Sequence, residues 1–358
     1  MAGPIRVLHA PALVGGNSAR LARAERKLGL ASHCISFYAN PFGYPVDEQL
    51  VTPAQGRISF ELQRWRLLWR AWREFDVVHF NFGRTLFPSR FTADLALLKA
   101  AGKAIFMSYQ GDDARQGDYC REHFEITFAT RVPEGYYSAA SDAAKRQRIA
   151  RIARKADGIY ALNPDLLHVL PPQARFLPYA NVDIEDYVPV AGRGSQTLLV
   201  AHAPSHRDVK GTGLIVGAVT RLRAEGHPVE LMLVEGVSNE QARRLYSQAD
   251  ICVDQLYAGW YGGVAVEMMA LGKPVVCYLR EGDLHFLPAG MRAELPIVQA
   301  RPDTIFEVLR DCARGPRERL RELGTRSRAY VERWHDPLEV AAQLKRDYER
   351  ALGRVGTT

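Results

Sequence analysis

Several stretches of the sequence set charged or polar side chains beside glycines, a pattern suited to phosphate and sugar ligands. "HAPSHRDVKGTG" (202–213) carries His202, His206, Arg207 and Lys210 ahead of Gly211. A guanidinium offers a planar fork to phosphate oxygens, and an ammonium offers a point charge. "GWYGGVAVEMMALGKPVV" (259–276) holds one carboxylate, Glu267, shortly after Gly262 and Gly263. That carboxylate suits the vicinal hydroxyls of a ribose; it equally suits the positive end of a helix, an interaction worth about 0.3–1 kcal/mol. "APALVGGNSARLA" (10–22) places Gly15 and Gly16 before a helix start. Such glycines let backbone N–H groups approach a phosphate, or simply make a tight turn at positive φ. Both readings stand at this point.

"SYQGDDARQGD" (108–118) supplies Gln110, Asp112, Asp113 and Arg115, candidates for a sugar or an acceptor hydroxyl. His79, in "DVVHFNFG", is a further candidate, with a structural hydrogen bond as the plainer role. The carboxylates of "NVDIEDY" (181–187) read as a capped turn. No His, Asp or Glu cluster has metal-ligand spacing, so neither a metal nor a cofactor is expected.

Apolar runs alternate with amphipathic segments along the whole chain, and these must position the loops. "IRVLHA", "ASHCISFY", "DVVHFNFG", "KAIFMSY" and "DGIYAL" read as strands, with helical patterns between most of them. A second series starts after "PVAGRGSQ" (189–196): "TLLVAHAP", "VELMLVEG", "DICVDQL" and "PVVCYL" are strands, again separated by helices. This alternation predicts two doubly wound α/β domains with parallel sheets. Ligands of such sheets bind beyond the carboxyl ends of the strands. The candidate loops all follow strands, and the ligand site is expected in a cleft between the domains.

At 358 residues the chain exceeds one hydrophobic core. Apolar residues at 47% and charged residues at 24% are ordinary for a globular protein. No run is long and apolar enough to span a membrane. The N-terminus reads as a strand and not as a secretion signal. The five cysteines are widely spaced without a C-x-x-C pair, which fits a reducing cytoplasm. A net charge of +7 favours anionic partners without choosing among them. Nucleic acid is the least favoured of these, because no recognition module appears.

Taken together, the glycine loop after the first strand, "PYANVD", the "KG" after the second domain's first strand, and "ADICVDQLYAGWYGGVAVEMMALGKPVV" resemble the retaining GT-B glycosyltransferases of the group 1, or family 4, class. The last segment is the most specific. The resemblance implies an N-terminal acceptor-side domain over 1–190, a nucleotide-sugar-binding domain over 191–335, and a helix at 336–358 that packs back on the first domain. It implies a hexosyltransferase-like enzyme that is retaining and metal-independent. Arg207 and Lys210 would take the catalytic, charge-stabilising role. Gly15, Gly16, Lys210, Gly262, Gly263 and Glu267 would bind the donor. His79, Gln110, Asp112 and Asp113 would face sugar or acceptor. Glu267 matches the second Glu of the family's E-x7-E motif; the first falls at Gly259. The family's Arg falls at Ser205, with Arg207 nearby, and its strand-end His falls near Gln110. A glycan or lipid-linked acceptor in cell-surface polysaccharide synthesis is the implied pathway. A nucleotide-sugar epimerase of the same fold and a non-catalytic sugar or nucleotide binder are the alternatives.

Two basic helices remain. In "RISFELQRWRLLWRAWREF", Trp65, Leu68, Trp69 and Trp72 recur at i, i+3, i+4, i+7, and arginines fill much of the rest. Either this is a core-packing face with snorkelling arginines, the favoured expectation, or it lies on an anionic membrane at the cytoplasmic face. "KRQRIARIARKADG" (145–158) poses the same choice.

Overall fold

The computed structural model describes residues 3–38, 40, 42–50, 54, 56–87, 92–190 and 194–354. The chain divides into two units. One gathers the residues up to Gln116, Ala139–Asn181 and the segment from Asp336; the other gathers Gly117–Ser138 and Val182–His335. The chain thus crosses between units at 116/117, 138/139, 181/182 and 335/336. The excursion Gly117–Ser138 lies inside the stretch that the sequence alone assigns to the first domain.

The first unit is built on seven strands: β1 (Arg6–Ala10), β2 (Ala31–Ser36), β3 (Glu48–Gln49), β4 (Val77–Asn81), β5 (Ala104–Tyr109), β6 (Gly158–Ala161) and β7 (Arg175–Phe176). They are parallel, in the order β3-β2-β1-β4-β5-β6-β7. Both faces are covered, so β4 and β5 are buried throughout and read as continuous apolar runs. Alternate residues serve opposite faces. Leu8, Val78, Phe80, Ile105 and Met107 pack under α2 (Arg57–Glu74), α3 (Ala93–Ala100) and α5 (Ala139–Ala153). Val7, Val77 and Phe106 pack under α1 (Asn17–Lys27) and α13 (Pro337–Ala351). Helix α4 (Gly117–His123) lies in the excursion.

The second unit has five parallel strands: β8 (Leu198–His202), β9 (Val229–Leu233), β10 (Ile251–Val253), β11 (Val275–Cys277) and β12 (Ile297–Gln299), in the order β12-β11-β10-β8-β9. Its helices are α6 (Arg207–Lys210), α7 (Thr212–Ala224), α8 (Asn239–Tyr246), α9 (Gly263–Ala270), α10 (Ala289–Ala293), α11 (Ile305–Arg314) and α12 (Arg317–Trp334). Ile215, Val219 and Leu222 of α7 and Ile305 and Leu309 of α11 pack on one sheet face. Helix α9, nearly all buried, packs against α12.

Both sheets are doubly wound, and each has a point where the strand order reverses. In the first unit it lies between β1 and β4, and in the second between β8 and β10. Loops leaving neighbouring strands there depart in opposite directions and open a crevice.

Candidate functional site: a lysine–aspartate pair at the second switch point

Lys210 follows β8, and Asp254 ends the neighbouring β10. Lys210 Nζ donates to Asp254 Oδ1 at 2.7 Å, and the side chains are 10% and 1% exposed. The other carboxylate oxygen, Oδ2, accepts the Gly262 N–H at 2.6 Å, just ahead of α9. One carboxylate therefore ties the loop after β8 to the first turn of α9. Glycines are needed for this closeness. A Cβ on Gly262 would stand 3.3 Å from Lys210 Nζ, while Gly211 turns the chain at φ +77 against Leu256 and Tyr257. The same crevice thus holds a buried cation and the amino end of a helix, and the Asp254 carboxylate already meets both.

Glu267 lies in α9, 2% exposed, and its Oε1 accepts Asn239 Nδ2 at 2.8 Å. Asn239 opens α8 behind a Ser238–Gln241 capping box, which fixes where its side chain starts. Arg207, although only three residues from Lys210, turns to solvent and pairs with Glu235 at 2.9 and 2.5 Å. His202 is interior. Its Nδ1 bonds the Val253 carbonyl at 2.7 Å and its Nε2 bonds Thr212 Oγ1 at 2.9 Å. Burial brings its pKa down to about 4, so it is a neutral brace beneath Lys210. His206 sets its ring edge-on to Tyr136, 5.6 Å between centroids.

At Gly259, where the resemblance would place a carboxylate, another group fills the space. Gly259 has φ +81, and a Cβ there would lie 2.6–2.9 Å from the Arg280 guanidinium. Arg280 donates to Asp283 Oδ2 at 2.8 Å and to the Ile126 carbonyl at 3.1 Å, and its guanidinium lies 3.6 Å from the Phe124 ring centroid. Phe124 and Ile126 come from the excursion Gly117–Ser138. That segment also sets Phe128 and Tyr137 against Tyr257 and Ala258, and pairs Glu125 with Arg301 at 2.7 Å. It therefore braces three loops that follow strands of the second sheet. The 254–262 loop is further held by Gln255, whose amide donates to the Trp260 carbonyl, and by Tyr261, whose hydroxyl meets His335 Nε2 at 2.8 Å.

In the first unit, Gly15 and Gly16 adopt φ +57 and +74 and lead into α1, whose amino end has no side-chain cap. A Cβ on Gly16 would meet the Tyr44 ring at 2.6 Å, whereas nothing lies within 4 Å of one on Gly15. Asn17 Oδ1 accepts the Ala180 N–H at 2.7 Å, anchoring "PYANVD" beside this loop. The glycines make the tight turn that positive φ requires, and the Asn17 N–H closes it on the Val14 carbonyl at 3.3 Å.

Three expected contacts in this unit are turned inward. His79 is fully buried, with Nδ1 on Tyr348 Oη at 2.7 Å and Nε2 on Ser108 Oγ at 2.8 Å, so neither nitrogen faces a substrate. Burial also holds its pKa well below the ordinary histidine value. Asp113 accepts the N–H groups of Gly111 at 2.6 Å and Gln110 at 3.1 Å. Burial pushes its pKa up to about 6. Its carboxylate braces the loop from inside, with both oxygens taken by backbone N–H groups. Gln110 is likewise mostly enclosed; its backbone carbonyl accepts Asn163 Nδ2 at 2.6 Å, and its side-chain Nε2 is buried without a hydrogen-bond partner among the described residues. Asp112 remains partly exposed beside Arg115, which is itself paired with Asp165 at 2.6 Å. The basic helix α5 serves this loop: Lys145 donates to the Arg115 carbonyl at 2.6 Å and Arg148 to the Asp113 carbonyl at 2.7 Å.

Asp254, Arg280 and Asn239 escaped sequence reasoning. Asp254 carried a usable signal, an acidic residue at a strand's carboxyl end. Arg280 and Asn239 are defined only by what the fold brings near Gly259 and Glu267. A cavity of about 730 Å³ opens elsewhere in the second unit, among Gln196, Asp250, Lys273, Arg317 and Arg321. It lies at the amino ends of the strands, and its cations are already engaged: Lys273 with the Val190 carbonyl, Arg317 with that of Gln196, and Arg321 with Glu318. Among the described residues no three His, Cys, Asp or Glu side chains are grouped to hold a metal.

No family model matches the sequence, and no curated protein matches it. Solved structures do match the fold. Sucrose-phosphate synthase from Thermosynechococcus elongatus aligns at a TM-score of 0.61 with 15% identity, covering 98% of this chain and 100% of that one. Anabaena HepE, solved in complex with UDP-glucose, aligns at 0.61 with 11% identity, covering 98% and 99%. A UDP-N-acetylglucosamine 2-epimerase aligns at 0.55 with 12% identity, covering 98% of each chain. The protein has the GT-B fold, two doubly wound α/β domains in one chain.

Proposed function

We propose that the protein is a glycosyltransferase that takes a sugar from a nucleotide-sugar donor. The observation that carries this reading is the Lys210–Asp254–Gly262 cluster at the switch point between β8 and β10. It puts a buried ammonium at the amino end of a glycine-led helix, with the Glu267 carboxylate in the same helix. Lys210 and the α9 amino end would hold the donor diphosphate, and Glu267 the ribose. Breaking the bond between sugar and diphosphate expels negative charge, which preorganised donors in a closed crevice stabilise. Lys210 would transfer its hydrogen bond from Asp254 to the leaving phosphate. Arg207 can join only by leaving Glu235, so its role is secondary. Gly15 and Gly16 carry over from the resemblance as donor-binding glycines. The nucleotide-sugar ligand named for HepE supports the donor class. Retention of anomeric configuration, independence from metal, a hexose as the transferred sugar, and a glycan or lipid-linked acceptor in cell-surface polysaccharide synthesis at the cytoplasmic face complete the reading.

The test is thermal unfolding with UDP, GDP, ADP, CDP and dTDP. A ligand that prefers the native state raises its stability. Selective stabilisation by one nucleotide, lost in Lys210→Met, supports the reading; none by any nucleotide refutes it. The epimerase among the structural matches favours one second reading, a nucleotide-sugar epimerase. Incubation with donor alone separates the two, since an epimerase converts it without an acceptor.

A further inference from the structure

Helix α2 turns its tryptophans outward, against the core-packing expectation. Its buried residues are Phe60, Leu67, Leu68 and Ala71. Ile58, Leu62, Trp65, Trp69 and Trp72 are each 51–79% exposed. Their spacing of four, three, four and three residues makes one continuous stripe, about 21 Å long at the helical rise. A lone exposed hydrophobe is ordinary, but a contiguous apolar patch marks an interaction surface.

The charges on the same helix sort into two sets. Arg64 is engaged by Glu61 at 2.6 Å, and Arg70 by Glu48 at 2.9 Å and Glu74 at 3.5 Å. These pairs neutralise both acidic residues of the helix. Arg57, Arg66 and Arg73 are exposed and have no carboxylate partner among the described residues. On a helical wheel, Arg66 and Arg73 border the apolar stripe, and the Arg73 guanidinium lies 5.3 Å from the Trp69 ring centroid. The face is therefore aromatic and carries a net positive charge. That combination complements a surface with anionic headgroups above hydrocarbon, where indole rings sit at the boundary and guanidinium groups meet phosphate. No described helix is long and apolar enough to cross a membrane, so the contact is one of docking.

We propose that α2 docks the protein on an anionic phospholipid surface, with Ile58, Leu62, Trp65, Trp69 and Trp72 entering the headgroup boundary and Arg57, Arg66 and Arg73 pairing with lipid phosphates. The proposal stands apart from the sugar-transfer reading and survives its failure. On basic helix α5, by contrast, Lys145 and Arg148 are committed to backbone carbonyls of their own unit.

The experiment is flotation of the full chain with vesicles of phosphatidylcholine, alone or mixed with phosphatidylglycerol, at low and high salt. Tryptophan emission is read in parallel. Three of the five tryptophans lie in the stripe, so insertion shifts the emission to the blue. Binding is expected only to the mixed vesicles, weakened by salt. Arg66→Glu/Arg73→Glu and Trp65→Ser/Trp69→Ser are each expected to lower partitioning at least about tenfold. All four positions are exposed, and circular dichroism checks that the fold is kept. Absence of binding at low salt overturns the proposal. So does binding that both variants retain, or a stable dimer by light scattering that the Trp65→Ser/Trp69→Ser variant dissolves.

Discussion

The Arg280 guanidinium fills the space that a side chain at residue 259 would need, within 2.6–2.9 Å of where its Cβ would sit. Glycine at 259 is thus required twice, by its positive φ and by its neighbour. Gly259→Ala is expected to cost about 2 kcal/mol or more in urea unfolding, from backbone strain plus overlap. In an Arg280→Ala background the overlap disappears and only the strain remains. The double-mutant cycle should therefore show a coupling of about 1 kcal/mol or more. An unchanged cost for Gly259→Ala in that background would show that the guanidinium is not what fills the space.

Lys210 and Asp254 form the second testable relationship. Removing one partner of a buried ion pair strands the other, at about 3 kcal/mol or more. Lys210→Met should lower stability by about that much, because Asp254 keeps only the Gly262 N–H. Lys210→Met/Asp254→Leu should recover much of it, since no charge is then left buried. Under the donor-binding reading, neither variant gains thermal stability from the nucleotide that stabilises the parent. If both variants keep the nucleotide effect, Lys210 does not touch the diphosphate.

Two buried groups give pH dependences of opposite sign. Asp113 has its pKa raised from 3.8 to about 6 in the folded state. Its contribution favours the fold below about 3.8 and is lost as pH rises through 6. Asp113→Asn should therefore gain on the parent between pH 4 and 7, by up to about 3 kcal/mol. His202 has its pKa lowered from 6.5 to about 4. Its contribution is present above 6.5 and is lost as pH falls through 4, so the parent's advantage over His202→Asn should shrink in that direction. Urea unfolding across pH 4–8 reads both, and equal slopes for parent and variants would refute either assignment.

Much of the fold was legible because βαβ architecture writes itself in local periodicity. Strands such as "VVHFN" are buried on both faces and read as unbroken apolar runs. The excursion Gly117–Ser138 was not legible. Its short helix and turns carry no signal of which sheet they will brace, and its partners Tyr257 and Arg280 lie far along the chain. At the site, Lys210 and Gly262 were legible from strand-end position, and the pairing through Asp254 was not. His79 and Asp113 were polar residues in suggestive places, and only the packing revealed that their hydrogen bonds point inward. The α2 tryptophans show the converse. A helical stripe of large apolar residues predicts a buried face, but that helix is anchored by the smaller stripe of Phe60, Leu67, Leu68 and Ala71.

The anchoring of α13 gives the last prediction. Tyr348 Oη stands between His79 Nδ1 at 2.7 Å and Glu25 Oε1 at 3.1 Å, while Glu25 also meets His9 at 2.9 Å and Ser32 at 2.6 Å. His9, Glu25, His79 and Tyr348 are all 0–1% exposed, so the Tyr348 hydroxyl, His79 Nδ1 and Glu25 Oε1 depend on one another. Tyr348→Phe keeps the ring against Phe106 but removes the hydroxyl from both contacts. A buried donor or acceptor left without a partner costs about 1–3 kcal/mol. Tyr348→Phe should accordingly destabilise the protein by about 2 kcal/mol or more and speed hydrogen exchange along α13. Arg350→Ala, on the exposed side of the same helix, should change stability by less than about 1 kcal/mol. If the two variants are equally stable, the network does not hold α13, and its anchors are the apolar packing of Val340, Ala341 and Leu344 and the contacts of Asp347 with Tyr160 and Arg175.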